Sequence, residues 1–497
     1  MKFTSTRSPM ALDSAKVIAQ GISKEGGLFV PESFPAISDE MFEKLIGMTY
    51  KERAAAILSL YLTDFTEAEI LHCVNGAYTG TFENEDPTPL VEVKTGMHLL
   101  ELWHGPTCAF KDMALQLLPY LLTTSAGKTA PEKTMVILVA TSGDTGKAAL
   151  DGFADVEKTK IIVFFPQEGV SPMQKLQMTT QTGNNVAVCA IHGNFDDAQT
   201  GVKNIFADES MKEFLAGADM EFSSANSIYF GRLVPQVVYY VSAYCDLLKN
   251  GTLKKGEGFN VTVPTGNFGN ILAAVYAKKM GVPIKKFICA SNKNNILTDF
   301  IRTGTYDRNR AFYTTTSPSM DILISSNLER LLYHLYDNDT AAVSTLMDQL
   351  KKDGKYSISS DVLAKLQSEF YGGFCDDAAT KETIRKHFKE NNYLCDTHTG
   401  VAVNVYEQYV AETGDNTPCV IASTASPYKF AAAVLDAVKD ENEAMPDNEF
   451  DMVERLSAIT GTKIPAPLAT LKDKTVLHKT CVHKEEMSGF IRDFLKK

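Results

Sequence analysis

Lys111 closes the stretch His104-Gly-Pro-Thr-Cys-Ala-Phe-Lys111-Asp112, a Gly/Pro loop that leads into an apolar-periodic run over residues 113–122. The pattern places the lysine at the mouth of a helix, near the positive end of its dipole, where the ammonium form is disfavoured. A partly neutral lysine amine is what Schiff-base chemistry needs. Far downstream, Phe259-Asn-Val-Thr-Val-Pro-Thr precedes Gly266-Asn267-Phe268-Gly269-Asn270 and a further apolar run, which reads as strand, glycine loop and helix. That arrangement aims backbone N–H groups and a helix N-terminus at one anion. Each feature alone is commonplace, since most lysines at helix starts are solvated and most glycine loops are only turns. Together, a reactive amine and a cradle for one phosphate point to pyridoxal phosphate.

Three further segments carry polar groups with chemistry to offer. Thr141-Ser142-Gly143-Asp144-Thr145-Gly146-Lys147 resembles a nucleotide-binding loop but fails its pattern twice, lacking glycine at Thr141 and a hydroxyl at Ala148. A triphosphatase is therefore the weaker reading. The N–H and hydroxyl donors of residues 142–145 suit a substrate carboxylate, and a plain capped turn is the ordinary alternative. In Ser223-Ser-Ala-Asn226-Ser227-Ile-Tyr-Phe-Gly-Arg232, amide, hydroxyl and guanidinium groups gather as they would around a phosphate. In Ser423-Thr424-Ala-Ser426-Pro-Tyr-Lys429, a neutral hydroxyl at a strand end can bond a pyridine nitrogen without forcing its protonation, and Lys429 adds positive charge.

The elements that must position these groups alternate strand and helix. Residues 134–140, 160–165 and 185–191 are short β-rich runs, and the alternation resumes at 259–263, 286–290 and 418–422. Continuous apolar strands between helices predict a parallel sheet covered on both faces, with ligands beyond the carboxyl ends of the strands. The two-proline stretch 84–89 marks a boundary. We expect an N-terminal domain over 1–90, a smaller α/β domain over 91–205 and a larger one over 206–497, with a helical, charge-rich insertion at about 327–390. A chain of 497 residues with 44 % hydrophobic and 22 % charged residues can bury the cores this requires. The net charge of −12 argues against nucleic acid or an anionic membrane as partner. No apolar run approaches the roughly 20 residues of a membrane span, and no secretory signal is evident. Nine scattered cysteines without a C-x-x-C pair fit reduced thiols in the cytoplasm, and the histidine spacings offer no metal site.

The chain resembles threonine synthases of the long bacterial and fungal form, within the fold-type II pyridoxal-phosphate enzymes. The resemblance runs nearly end to end. It includes Ser5-Thr-Arg7 with Glu25-Gly-Gly-Leu-Phe-Val-Pro31, Pro87-Thr-Pro-Leu90, Leu102-Trp-His-Gly-Pro-Thr-Cys-Ala-Phe-Lys111-Asp112 and Ser142-Gly-Asp-Thr-Gly146. It continues through Ser171-Pro-Met-Gln-Lys-Leu-Gln-Met-Thr179, Asn226-Ser227 to Arg232, Gly266-Asn-Phe-Gly-Asn270, Ser317-Pro-Ser-Met-Asp321 and Ser423-Thr-Ala425. It implies an α/β fold like that of tryptophan synthase β, with open, mostly parallel sheets flanked by helices and an additional N-terminal domain.

The resemblance further implies that Lys111 holds pyridoxal 5'-phosphate as a Schiff base. Gly266, Asn267, Phe268, Gly269 and Asn270 would bind its phosphate, and Thr424 would face its pyridine nitrogen. Ser142, Gly143, Asp144 and Thr145 would hold the substrate carboxylate or lie beside the cofactor's 3-oxygen. Thr88, Asn226, Ser227 and Arg232 would grip a substrate phosphate, with Lys429 nearby. The implied reaction turns O-phospho-L-homoserine and water into L-threonine and phosphate, in a monomer or homodimer. Two departures stand out: Ser426-Pro-Tyr-Lys429 replaces the family's usual His-Pro-Ala-Lys, and Asn295 stands where aspartate is common. The first keeps open a phospholyase that releases 2-oxobutanoate, ammonia and phosphate.

Overall fold

The apolar runs fold into two open sheets. The computed structural model describes residues 1–141, 143–168 and 170–496. Thr134–Ala140, Thr159–Pro166 and Val186–Ile191 pair in parallel, joined by Met220–Ser223 at one edge and Cys481–Val482 at the other. The second sheet has six strands in the spatial order Phe370–Phe374, Ile284–Ser291, Phe259–Pro264, Cys419–Ser423, Met97–Glu101 and Leu90–Lys94. It is parallel apart from the hairpin between its last two members. The inner strands are buried on both faces, which explains why their sequences read as unbroken apolar runs.

The sheets do not follow the boundaries expected from sequence. Leu90–Lys94 and Met97–Glu101 belong to the sheet of the later residues, whereas Met220–Ser223 and Cys481–Val482 return to the other. The stretch 327–390 is mostly helical, but it also supplies the edge strand Phe370–Phe374. Ahead of the sheets lie the antiparallel pair Phe3–Ser5 and Phe29–Pro31 and four helices ending at Tyr78. Thr49 with Glu52 and Thr66 with Glu69 form capping boxes that start two of these helices. Arg53, buried on the third helix, donates to Ser242 Oγ at 2.7 Å and pairs with Asp246 at 2.8 Å on the helix Phe230–Lys249. That long helix runs through the core, with Tyr239 and Tyr240 fully buried.

Candidate active site

The segment after Lys111 is not one helix. It makes a four-residue turn, Asp112–Leu115, and a second helix, Leu118–Thr129. Pro119 sits in the first turn of the second, where its missing N–H costs nothing, while its ring excludes continuation from Leu115. So short a turn carries little dipole. The Lys111 amine is nonetheless held below its ordinary pKa, first by burial, with Lys429 and Arg232 adding repulsion and Asp144 and Asp112 opposing. The depressed lysine read from sequence is present, and its cause is desolvation among cations.

The loop that presents Lys111 is pinned to the end of the strand Cys419–Ser423. Leu102 N–H donates to Ser423 O at 2.9 Å, Phe110 N–H to Thr424 O at 2.8 Å and Ser426 N–H to Cys108 O at 3.0 Å. Ala109 and Ala425 form an antiparallel bridge. Inside the loop the buried Asp112 carboxylate accepts from Thr107 N–H at 2.8 Å and from its hydroxyl at 2.6 Å. Burial pushes Asp112 up to about 7, against the pull of those bonds.

Lys429 and Asp144 meet each other rather than standing open. Their side chains pair at 2.7 Å, Lys429 also donates to Thr107 O at 2.8 Å, and Gln174 donates to Asp144 at 3.0 Å. Asp144 sits far below the usual carboxylate range: Lys429 and Lys111 outweigh its burial. The pair fastens three loops together around Lys111. Within the glycine turn, Thr141 Oγ1 accepts from Gly143 N–H and Gly146 N–H, both at 3.0 Å. Asp144 and Thr145, opening the helix Asp144–Phe153, donate their N–H groups to no acceptor among the described residues. A Cβ at Gly143 would lie 2.6 Å from Gln174 Nε2, so a larger residue there would push Gln174 off Asp144. Ser142 lies outside the described residues.

The loop 266–270 leaves several backbone donors without acceptors among the described residues. Phe268 adopts a left-handed conformation, φ 65°, immediately before the helix Gly269–Lys279, and its ring is anchored in the core. The N–H groups of Asn267, Phe268 and Gly269 have no acceptor among the described residues. The neighbouring carbonyls are occupied: Ser325 Oγ donates to Gly266 O at 2.7 Å, and Asn327 donates to Asn267 O from its backbone at 3.0 Å and its side chain at 3.1 Å. Asn270 is buried; its Oδ1 accepts from Tyr240, and its Nδ2 has no partner. Unmet donors converging with no acceptor fit a phosphate. A Cβ at Gly266 would lie 2.4 Å from Ser319 O, so the loop is closed from behind.

Arg232 is the second anion-seeking group. It is buried in the first turn of Phe230–Lys249, donates to Ala225 O, and leaves Nε without a partner among the described residues. Burial alone lowers it to about 10, with no carboxylate counterbalancing it. An uncompensated buried guanidinium is expensive unless an anion joins it. Gln236 links Arg232 to the cradle, donating to Arg232 O at 2.8 Å while lying beside Gly269. Asn226 caps its own turn through Ile228 N–H at 3.2 Å, and Ser227 O accepts from Asn327 at 3.2 Å. Thr88 is fully buried and tied to Asp86 through its N–H at 3.0 Å; no hydrogen bond joins it to Arg232. Thr424 is buried at the strand end, its carbonyl engaged by Phe110. Ser426, the departure from the family pattern, caps a short 3-10 turn by accepting Tyr428 N–H at 3.3 Å. Asn327 and Arg330, both bonded to these loops, had no sequence signal, and Gln174 lay in the quoted string 171–179 without a role assigned to it.

Comparison with known proteins bears on the family of the chain. Residues 2–78 match the family model for the threonine synthase N terminus, residues 81–424 that for pyridoxal-phosphate dependent enzymes, and residues 399–473 that for the threonine synthase C-terminal region. Human threonine synthase-like 1 is 41% identical over 438 residues, covering 86% of this chain and 58% of that protein. The chain thus spans little more than half the length of such relatives. Threonine synthase of Saccharomyces cerevisiae is 36% identical over 462 residues, 88% of each chain. The crystal structure of pyridoxal-phosphate-bound threonine synthase from Brucella melitensis superimposes with a TM-score of 0.89 at 36% identity, covering 100% of both chains. The residues around Lys111 fit pyridoxal phosphate as cofactor, and the chain belongs to the threonine synthase family of fold-type II pyridoxal-phosphate enzymes.

Proposed function

We propose that this enzyme is a threonine synthase, a lyase that releases phosphate from O-phospho-L-homoserine and adds water to give L-threonine. The observation that carries the reading is Arg232: a buried guanidinium with an open Nε among the described residues, outside the loop 266–270 and close enough to Lys111 to depress its amine. The loop 266–270 and Arg232 offer two groups for anions, and Arg232 lies near the reactive lysine. One takes the phosphate of the cofactor, and the other suits a substrate that carries its own.

When bound, pyridoxal phosphate supplies the electron sink for carbanions at the α and β carbons. Lys111 holds it and moves protons at those carbons as a general base, a role its lowered pKa permits. The unpaired N–H groups of Asp144 and Thr145 take the substrate carboxylate. Arg232 stabilises the charge that builds on the departing phosphate, preorganised and shielded from water. Thr424 offers a neutral hydroxyl to the pyridine nitrogen. The side chains of Lys429 and Asp144, already paired, hold the loops rather than bind substrate. All nine cysteines are free and eight are buried, which supports a reducing compartment such as the cytoplasm. No described helix is long and apolar enough to cross a membrane.

A second reading, a phospholyase that yields 2-oxobutanoate, ammonia and phosphate, is favoured by Ser426, which stands beside the Lys111 loop where the family pattern has histidine. Incubation with pyridoxal phosphate and O-phospho-L-homoserine decides between them. Threonine equal to phosphate supports the synthase, and keto acid equal to phosphate the lyase. No phosphate release refutes both.

A further inference from the structure

Asn327 and Arg330 lie at the start of the helical stretch 327–390, for which the sequence offered no role. In the fold, Asn327 sits between the two anion loops. Its Nδ2 donates to Ser227 O at 3.2 Å, in the loop that leads to Arg232, and to Asn267 O at 3.1 Å, in the cradle. Its backbone N–H reaches Asn267 O as well, at 3.0 Å. Its Oδ1 accepts from Arg330 Nη1. The orientation of the amide is forced, because two carbonyls face one end and a guanidinium the other. Arg330 is fully buried; it donates through Nη2 to Ile228 O at 2.6 Å and through Nε to Phe29 O at 2.9 Å. One amide nitrogen therefore ties two loops that are distant in sequence. One buried cation holds that amide and one of the loops, and no carboxylate bonds to it among the described residues.

We propose that Asn327 and Arg330 are positioning residues that set the spacing between the cofactor-phosphate cradle and the substrate-phosphate loop, so that binding of the two phosphates depends on the same brace. The inference rests on the reading of those loops given above. By holding the Asn267 and Ser227 carbonyls, the brace turns acceptors away from the anions and leaves the N–H groups to face them. Its buried charge also adds positive potential at both sites without being spent on a carboxylate.

Asn327→Asp is the discriminating variant. It keeps the acceptor for Arg330 and adds a charge pair to it, but its side chain cannot donate to Ser227 O or Asn267 O, leaving only the backbone N–H on Asn267 O. The apoprotein's Tm is measured together with its Kd for pyridoxal phosphate by absorbance titration, and with KM and kcat for O-phospho-L-homoserine. The expected result is a Tm within a few degrees of wild type, with Kd and KM each raised by about tenfold and kcat changed less, the scale of losing two hydrogen bonds. Asn327→Ala should raise Kd and KM similarly at a lower Tm. Arg53→Lys, which alters a buried arginine remote from the loops, should lower Tm without moving Kd. Unchanged Kd in both Asn327 variants overturns the brace, as does a Kd that merely tracks Tm across all three. If wild type binds pyridoxal phosphate but leaves O-phospho-L-homoserine intact, the substrate half falls together with the proposed function. The Kd comparison still decides the cofactor half.

Discussion

At the scale of single residues, the chemistry follows from charges placed where water cannot reach them. Arg232 should be the sharpest case. Arg232→Ala is expected to lower kcat/KM for O-phospho-L-homoserine by about one to a few kcal/mol, the range for losing a charged hydrogen-bond partner. The inhibition constant of an unphosphorylated homoserine analogue should barely move; equal loss for both would remove Arg232 from a phosphate site. Lys111→Ala should abolish the visible absorbance of the bound cofactor and the turnover together. Asp112 gives a pH prediction. Its folded pKa, about 7, lies above the ordinary 3.8, so between those values the folded state binds a proton that the unfolded state has released. Its contribution to stability is therefore complete below about 4 and is lost as pH rises through about 7. Asp144, shifted the other way, acts only below about 4 and does not mask this. The Tm of Asp112→Asn should fall less steeply than that of wild type between pH 4 and 7, and parallel curves would refute the assignment. Lys111, Arg232 and the glycine loop were legible as candidates only in combination, since each is commonplace alone. The Lys429–Asp144 pair was not, since each looked like a substrate group until the fold set them 2.7 Å apart.

At the scale of elements, the glycine turns work because neighbouring side chains hold their backbones. Thr141 accepts two N–H groups of its own turn. Thr141→Val keeps the shape but strands the Gly143 N–H and leaves Gly146 N–H only its longer bond to Gly143 O, so about 1–3 kcal/mol of stability should be lost, with a raised KM for substrate. Denaturant melts and steady-state kinetics check both; a loss of stability without a change in KM would remove the turn from substrate binding. Strands and glycine loops were readable because period and composition report local geometry. The break after Leu115 could have been read from Pro119, which the apolar periodicity disguised. Asn327 and Arg330 could not, because their partners are backbone carbonyls 100, 102 and 301 residues away and carry no sequence signature.

At the scale of the whole molecule, the N-terminal segment is fastened to the stretch 327–390 through Glu329, which takes Arg7 at 2.8 and 2.7 Å and the Thr6 hydroxyl at 2.5 Å. Glu329→Ala should cost about 1–3 kcal/mol, seen as a lower Tm, and proteolysis should cut the first residues sooner. Unchanged digestion would show that the segment is held by its apolar contacts alone.

The six-stranded sheet has a consequence for the order in which the protein can be made. Its strand Cys419–Ser423 lies in the middle, between Phe259–Pro264 and Met97–Glu101. Until the ribosome has released that segment, the strands on either side face each other across a gap, with two unpaired edges and no anchor for the lysine loop. A growing chain in that state can neither hold its cofactor nor hide its strand edges. Synthesis therefore carries a long vulnerable interval, in which a chaperone would act on a nearly complete polypeptide, and a nonsense mutation just before residue 419 would yield aggregate rather than a weakened enzyme.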